Sequence, residues 1–218
     1  MFQWTEKLQS QQDWITILIV LIFGLSMYLY NRNPHQFKLL VSFWKSKIYF
    51  NIYDKEKYAN PLHLFNLILT FITLITFSLL SYFFYKKILF SLLGGISFLS
   101  FFSVISVMVV LRFGILKLIF QLSNHLEFYK QTVFRSISFY AMISLYAIFI
   151  FSVYHYGFPN NTNLLLILIL MVLCFVFLTQ LTVYLRIIRF NPIRIVYLIL
   201  YLCTFKIAPW LWLYKSIY

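Results

Sequence analysis

The sequence predicts an all-α polytopic membrane protein with six transmembrane helices and an amphipathic interfacial helix after the first. Of its 218 residues 62% are apolar, 22% aromatic and only 11% charged, whereas a soluble domain carries about 25% charged residues. Mean hydropathy is +0.86. The apolar residues also fall in long runs, close to the roughly 20 residues that a helix needs to cross about 30 Å of hydrocarbon. Unpaired backbone is too costly in lipid for an open sheet. A closed β-barrel would show strands alternating apolar and polar, and the run Leu164–Leu173 does not alternate.

The six runs are Trp14–Tyr30, Pro61–Tyr85, Ile88–Leu111, Ile137–Tyr154, Leu164–Tyr184 and Ile195–Tyr214. The first exceeds a signal-peptide apolar region, and Asn31-Arg32-Asn33-Pro34 after it offers no small-x-small cleavage site, so it is expected to remain as an anchor. With no linker or appended soluble composition, residues 1–218 read as one integral membrane domain.

Orientation follows from the basic residues, because short loops rich in Lys and Arg stay cytoplasmic. The gaps 31–60, 112–136 and 185–194 hold thirteen of them, against four in the N-terminal tail, the turn at Lys86-Lys87, the gap 155–163 and the C-terminus. Both termini are therefore expected to be periplasmic. The remaining cation, Lys206, falls inside the last run.

In the first basic gap Phe37, Val41, Trp44, Ile48 and Ile52 recur at helical spacing, with Lys38, Ser42 and Lys45 on another side. That pattern suits a helix lying on the inner leaflet, with Lys38, Lys45 and Trp44 at anionic headgroups. In the second, Arg112, Lys117, Gln121 and Asn124 form a narrow polar stripe, compatible with either a surface helix or an extension of the third span.

A charge of +13 raises nucleic acid as a partner, but cations confined to gaps between apolar runs are the pattern of membrane insertion, so no nucleic acid is expected. No cofactor or metal is expected either. His35, His63 and His125 lie at the cytoplasmic margin and His155 at the other side, which does not pair ligands for a haem, and no Cys/His cluster has zinc spacing. Glu6, Asp13, Asp54, Glu56 and Glu127 all lie in tails or gaps, which argues against proton-coupled transport by the chain alone. Ser97, Ser100 and Ser103, beside Gly94-Gly95, suit close helix packing better than catalysis. Cys174 and Cys203 fall in apolar runs, as small core hydrophobes do.

The last run contains Leu200, Tyr201, Leu202, Cys203, Ile207, Pro209, Tyr214 and Lys215 in an arrangement that resembles the C-terminal signature of a Bacteroidota inner-membrane family, domain of unknown function 4271. The chain length, the Asn33-Pro34 start of the first basic gap and the stretch Phe128–Phe134 are similar too. The resemblance implies a bacterial inner membrane and no particular activity. Where it implies an acidic residue, this chain has Lys206.

The expected function is a non-enzymatic subunit or assembly factor of a larger inner-membrane complex, linked to secretion or envelope biogenesis, with lipids and other membrane subunits as partners. The alternative is a small-molecule or lipid transporter in which Lys206, beside the helix-bending Pro209, meets an anionic substrate.

Overall fold

The computed structural model describes residues 13–54, 60–89, 97–122, 126–158 and 161–190. Apolar residues without proline give the first helix, α1 (Asp13–Arg32), which has Asp13 in its first turn and Arg32 in its last, signs that complement the helix dipole. Pro34 then opens α2 (Pro34–Val41), a first-turn position where its missing N–H costs nothing. A 3-10 turn, Phe43–Lys45, leads to α3 (Ser46–Tyr53). The long helices follow: α4 (Leu64–Phe84), widened at its end into a π turn (Tyr85–Leu89), α5 (Phe98–Leu122), α6 (Leu126–Gly157) and α7 (Thr162–Phe190).

Among the described residues five helices, α1, α4, α5, α6 and α7, are long and apolar enough to cross a membrane, which marks the chain as a membrane protein. The sixth predicted span, with Lys206, Pro209 and Cys203, lies outside the described residues.

The parallel pair α4 and α6 forms the centre, with α5 and α7 touching both, α1 on α4 and α2 on α6. Within their apolar stretches α6 is 56% buried and α4 44%, against 6% for α5. Leu69, Ile72, Leu79 and Phe83 of α4 meet Phe134, Ala141, Ile148 and Phe151 of α6 in one core that takes in Ile15, Ile19 and Ile22 of α1. Lipid tails are as apolar as these side chains, so close packing and polar bonds, rather than escape from water, hold such helices together.

Hydroxyls inside the spans are satisfied locally. Thr70, Thr73, Thr76 and Ser78 of α4 donate to the carbonyls of Asn66, Leu69, Ile72 and Leu74 at 2.8, 2.6, 2.9 and 2.7 Å. Each oxygen is thereby removed from the lipid.

One open alternative is decided and two expectations change. Residues 112–122 extend the third span as part of α5, because Leu116 and Phe120 are buried against Tyr129 at the start of α6, whose hydroxyl reaches the Phe113 carbonyl at 3.4 Å. The helix runs unbroken from Phe98 to Leu122, so no separate surface helix starts at Arg112. The fourth span begins at Leu126 rather than Ile137, carrying Lys130 and Arg135 into the helix. Among the described residues Ser97, Ser100 and Ser103 do not pack against a helix: all three are exposed, Ser97 and Ser100 bond each other at 3.1 Å, and Ser103 donates to the Ser100 carbonyl at 2.9 Å.

The amphipathic stretch is two short helices rather than one, and it has two apolar faces. Leu40, Tyr49 and Phe50 are buried against the bundle, while Trp44, Ile48 and Ile52 point outward, Trp44 being 96% exposed. The outward set is the one that recurs at helical spacing, so the stretch leans on α6 with its inner face and keeps an aromatic-aliphatic face for the headgroup boundary.

Candidate functional site

Lys38 and Lys45 are exposed, on α2 and at the end of the 3-10 turn, and Trp44 projects beside Lys45. These three lie close together along the chain and line neither of the two cavities described below. Lys206 and Pro209 lie outside the described residues.

Polar side chains instead converge at two places. Beneath α3, Arg135 of α6 pairs with Asp54, its Nε donating to Asp54 Oδ2 at 3.0 Å and its Nη2 forming the second bond to the same oxygen. The guanidinium lies 5.1 Å from the centre of the Phe50 ring, and the two charged side chains are only 11% and 13% exposed. Asp54 Oδ1 is buried without a hydrogen-bond partner among the described residues. Next to this pair, Tyr49 bonds Ser138 at 3.3 Å, and burial pushes its phenol up to about 12 against the weaker pull of Ser138 and Gln36. His35 and Tyr53 tie α2 to α3 at 3.1 Å.

The second place is inside the spans. Arg112 of α5 donates through Nη1 to the Tyr140 hydroxyl of α6 and through Nη2 to Gln180 Oε1 of α7 at 2.7 Å. Its guanidinium also sits 5.2 Å from the Tyr140 ring centre and 5.9 Å from that of Phe113. Gln180 is fully buried, and because its oxygen faces Arg112, its Nε2 is turned away and has no partner among the described residues. Arg112 lies about 9 Å along the helix from the end of the α5 apolar stretch at Leu118. An ionisable group at such depth is expensive and is held where it serves a purpose.

Beside Arg112 opens a cavity of about 400 Å³ between α4, α5, α6 and α7, walled by Thr73, Phe77, Met108, Ile137, Leu173 and Val176 among others. A second hollow of about 410 Å³ lies between α6 and α7, around Ile143, Ala147, Leu168 and Phe175, with no charged side chain in its wall. At the opposite end of the bundle Lys87 donates to the Tyr154 hydroxyl at 2.6 Å and Tyr156 to Thr16 Oγ1 at 3.0 Å. His155 packs there against the rings of Phe83 and Phe151, which also touch each other. Among the described residues no three His, Cys, Asp or Glu side chains gather as a metal site would require.

Sequence reasoning placed Arg112 in a gap because a single cation ends an apolar run in one dimension. Two signals pointed the other way: the apolar residues continue from Phe113 to Phe120, and Gln180 interrupts the run Leu164–Tyr184 on an adjacent helix. Neither the curated proteins nor the solved structures provide a match to the chain. Residues 15–217, including the stretch that carries Arg112, Tyr140 and Gln180, match the family model described as domain of unknown function (DUF4271), and the chain belongs to that family.

Proposed function

We propose that the chain is a non-enzymatic subunit or assembly factor of a larger bacterial inner-membrane complex, of the kind that serves secretion or envelope biogenesis. The observation that carries this reading is the use of polar side chains as ties between helices. Lys87 to Tyr154, Tyr156 to Thr16 and Arg135 to Asp54 each join two different segments, and Arg112 with Tyr140 and Gln180 joins three. Polar groups used in this way fix one arrangement of helices, which is what a platform for other subunits needs. The exposed flank of α5 and the basic, tryptophan-bearing rim of α2 and α3 are surfaces on which neighbours and anionic headgroups would sit.

A second reading, transport of a small molecule or lipid, is favoured by the cavity beside Arg112. In that reading Arg112 supplies a cation from the described spans, and Lys206 would supply another from the last run. Purification of the full chain in mild detergent, followed by mass spectrometry of the intact assemblies, separates the two. Stoichiometric protein partners are the expected result. A monomer or homodimer retaining an anionic ligand would overturn the subunit reading in favour of transport.

A further inference from the structure

We propose that the cavity between α4, α5, α6 and α7 holds an acyl chain of an anionic phospholipid from the leaflet on the basic side, with its phosphate paired to Arg112. The site is independent of whether the chain is a subunit or a transporter.

Its polarity is arranged along the membrane normal. On α5 the wall runs through Ile105, Met108 and Val109 to Arg112, so the cation stands at the end nearest the basic gaps. Gln180, to which Arg112 is bonded, lies about 5 Å along α7 from Val183, the end of that helix's apolar stretch, which draws the guanidinium toward headgroup level. From there the cavity leads toward mid-membrane along Thr73, Phe77 and Leu173. Thr70 and Thr73 contribute no free hydroxyl to that wall, since both donate to carbonyls of their own helix at 2.8 and 2.6 Å. What remains is a greasy slot with a charged mouth.

Two further points favour a lipid as occupant. A volume of about 400 Å³ with such walls gives water too few partners to be stable there, while a hydrocarbon chain restores the lost dispersion contacts. At the mouth, guanidinium and phosphate match as charge and as geometry. The second hollow, between α6 and α7, has a comparable volume but no cation, and so serves as an internal control.

The test uses the full chain in nanodiscs of phosphatidylcholine doped with phosphatidylglycerol that carries a diazirine on one acyl chain. Illumination is expected to label Thr70–Phe77 and Ile105–Phe113 above all other segments. Arg112→Met should cut that labelling about tenfold, the loss expected for a charge-assisted pair, with part of it retained in Arg112→Lys. Leu173→Trp, which fills the slot and leaves Arg112, Tyr140 and Gln180 in place, should cut it as well and carries the test should Arg112→Met not assemble. Any of four results overturns the proposal: labelling unchanged in both Arg112→Met and Leu173→Trp, equal labelling by a diazirine phosphatidylcholine, displacement by millimolar inorganic phosphate, or a cysteine cross-link from position 173 into residues 191–218 showing that this chain's own segment fills the slot.

Discussion

Arg135 and Asp54 show what a single charged pair does where water is scarce. Both side chains are nearly buried, and one carboxylate oxygen takes two guanidinium bonds. Removing either partner strands the other, a loss of about 3–5 kcal/mol for a buried pair. Arg135→Met and Asp54→Asn should therefore each lower the thermal unfolding midpoint in detergent clearly, whereas the double variant Asp54→Leu with Arg135→Leu should recover most of the difference. A loss in the double variant equal to the sum of the two single losses would show that the pair is not coupled. Neither residue stands out in the sequence, where Asp54 sits among the Lys and Glu of a basic gap and Arg135 precedes an apolar run. Their meeting depends on α3 leaning against α6, which no local pattern encodes.

At the scale of elements, hydropathy located the apolar centres of α1, α4, α6 and α7 well, because insertion into lipid selects for length and apolarity before it selects for partners. The inner ends were not legible. Arg112 and Lys117 break the apolar run of α5 in the sequence, yet Arg112 turns to α6 and α7 while Lys117 stays exposed, and only the rotational phase of three helices decides this. The α3 stretch was legible by half: the face of Trp44, Ile48 and Ile52 was visible as a periodic pattern, but Tyr49 and Phe50, adjacent in sequence, form the face that packs on the bundle. The outward face predicts an interfacial position for Trp44. In bilayers containing brominated lipids, tryptophan fluorescence should be quenched more when the bromines are near the headgroups than near the chain ends, and Trp44→Phe should remove that component. A difference spectrum insensitive to bromine depth would place α3 in water.

For the whole molecule, the distribution of basic residues over the gaps predicts one orientation. Lys38, Lys45 and Lys47 gather on the α2 and α3 side, and the gap between α6 and α7 holds no Lys or Arg. In a background without Cys174 and Cys203, an impermeant thiol reagent added outside spheroplasts should label a cysteine at Asn161 and spare one at Lys47. The reverse pattern would invert the protein in its membrane. An expectation for orientation could be read from charge alone because translocation itself sorts Lys and Arg. The Arg112 site could not, since its members come from three helices and meet only after packing.

The tie between Asp54 and Arg135 also imposes a timetable on biogenesis. The two residues are 81 positions apart, so at about 5–20 residues per second the arginine leaves the ribosome roughly 4–16 s after its partner. During that interval α4 and α5 must enter the membrane while the Asp54 carboxylate remains in the aqueous rim. The α3 segment can dock only once the fourth crossing is under way. The rim on the basic side is thus assembled late, as a clasp closed over helices already threaded.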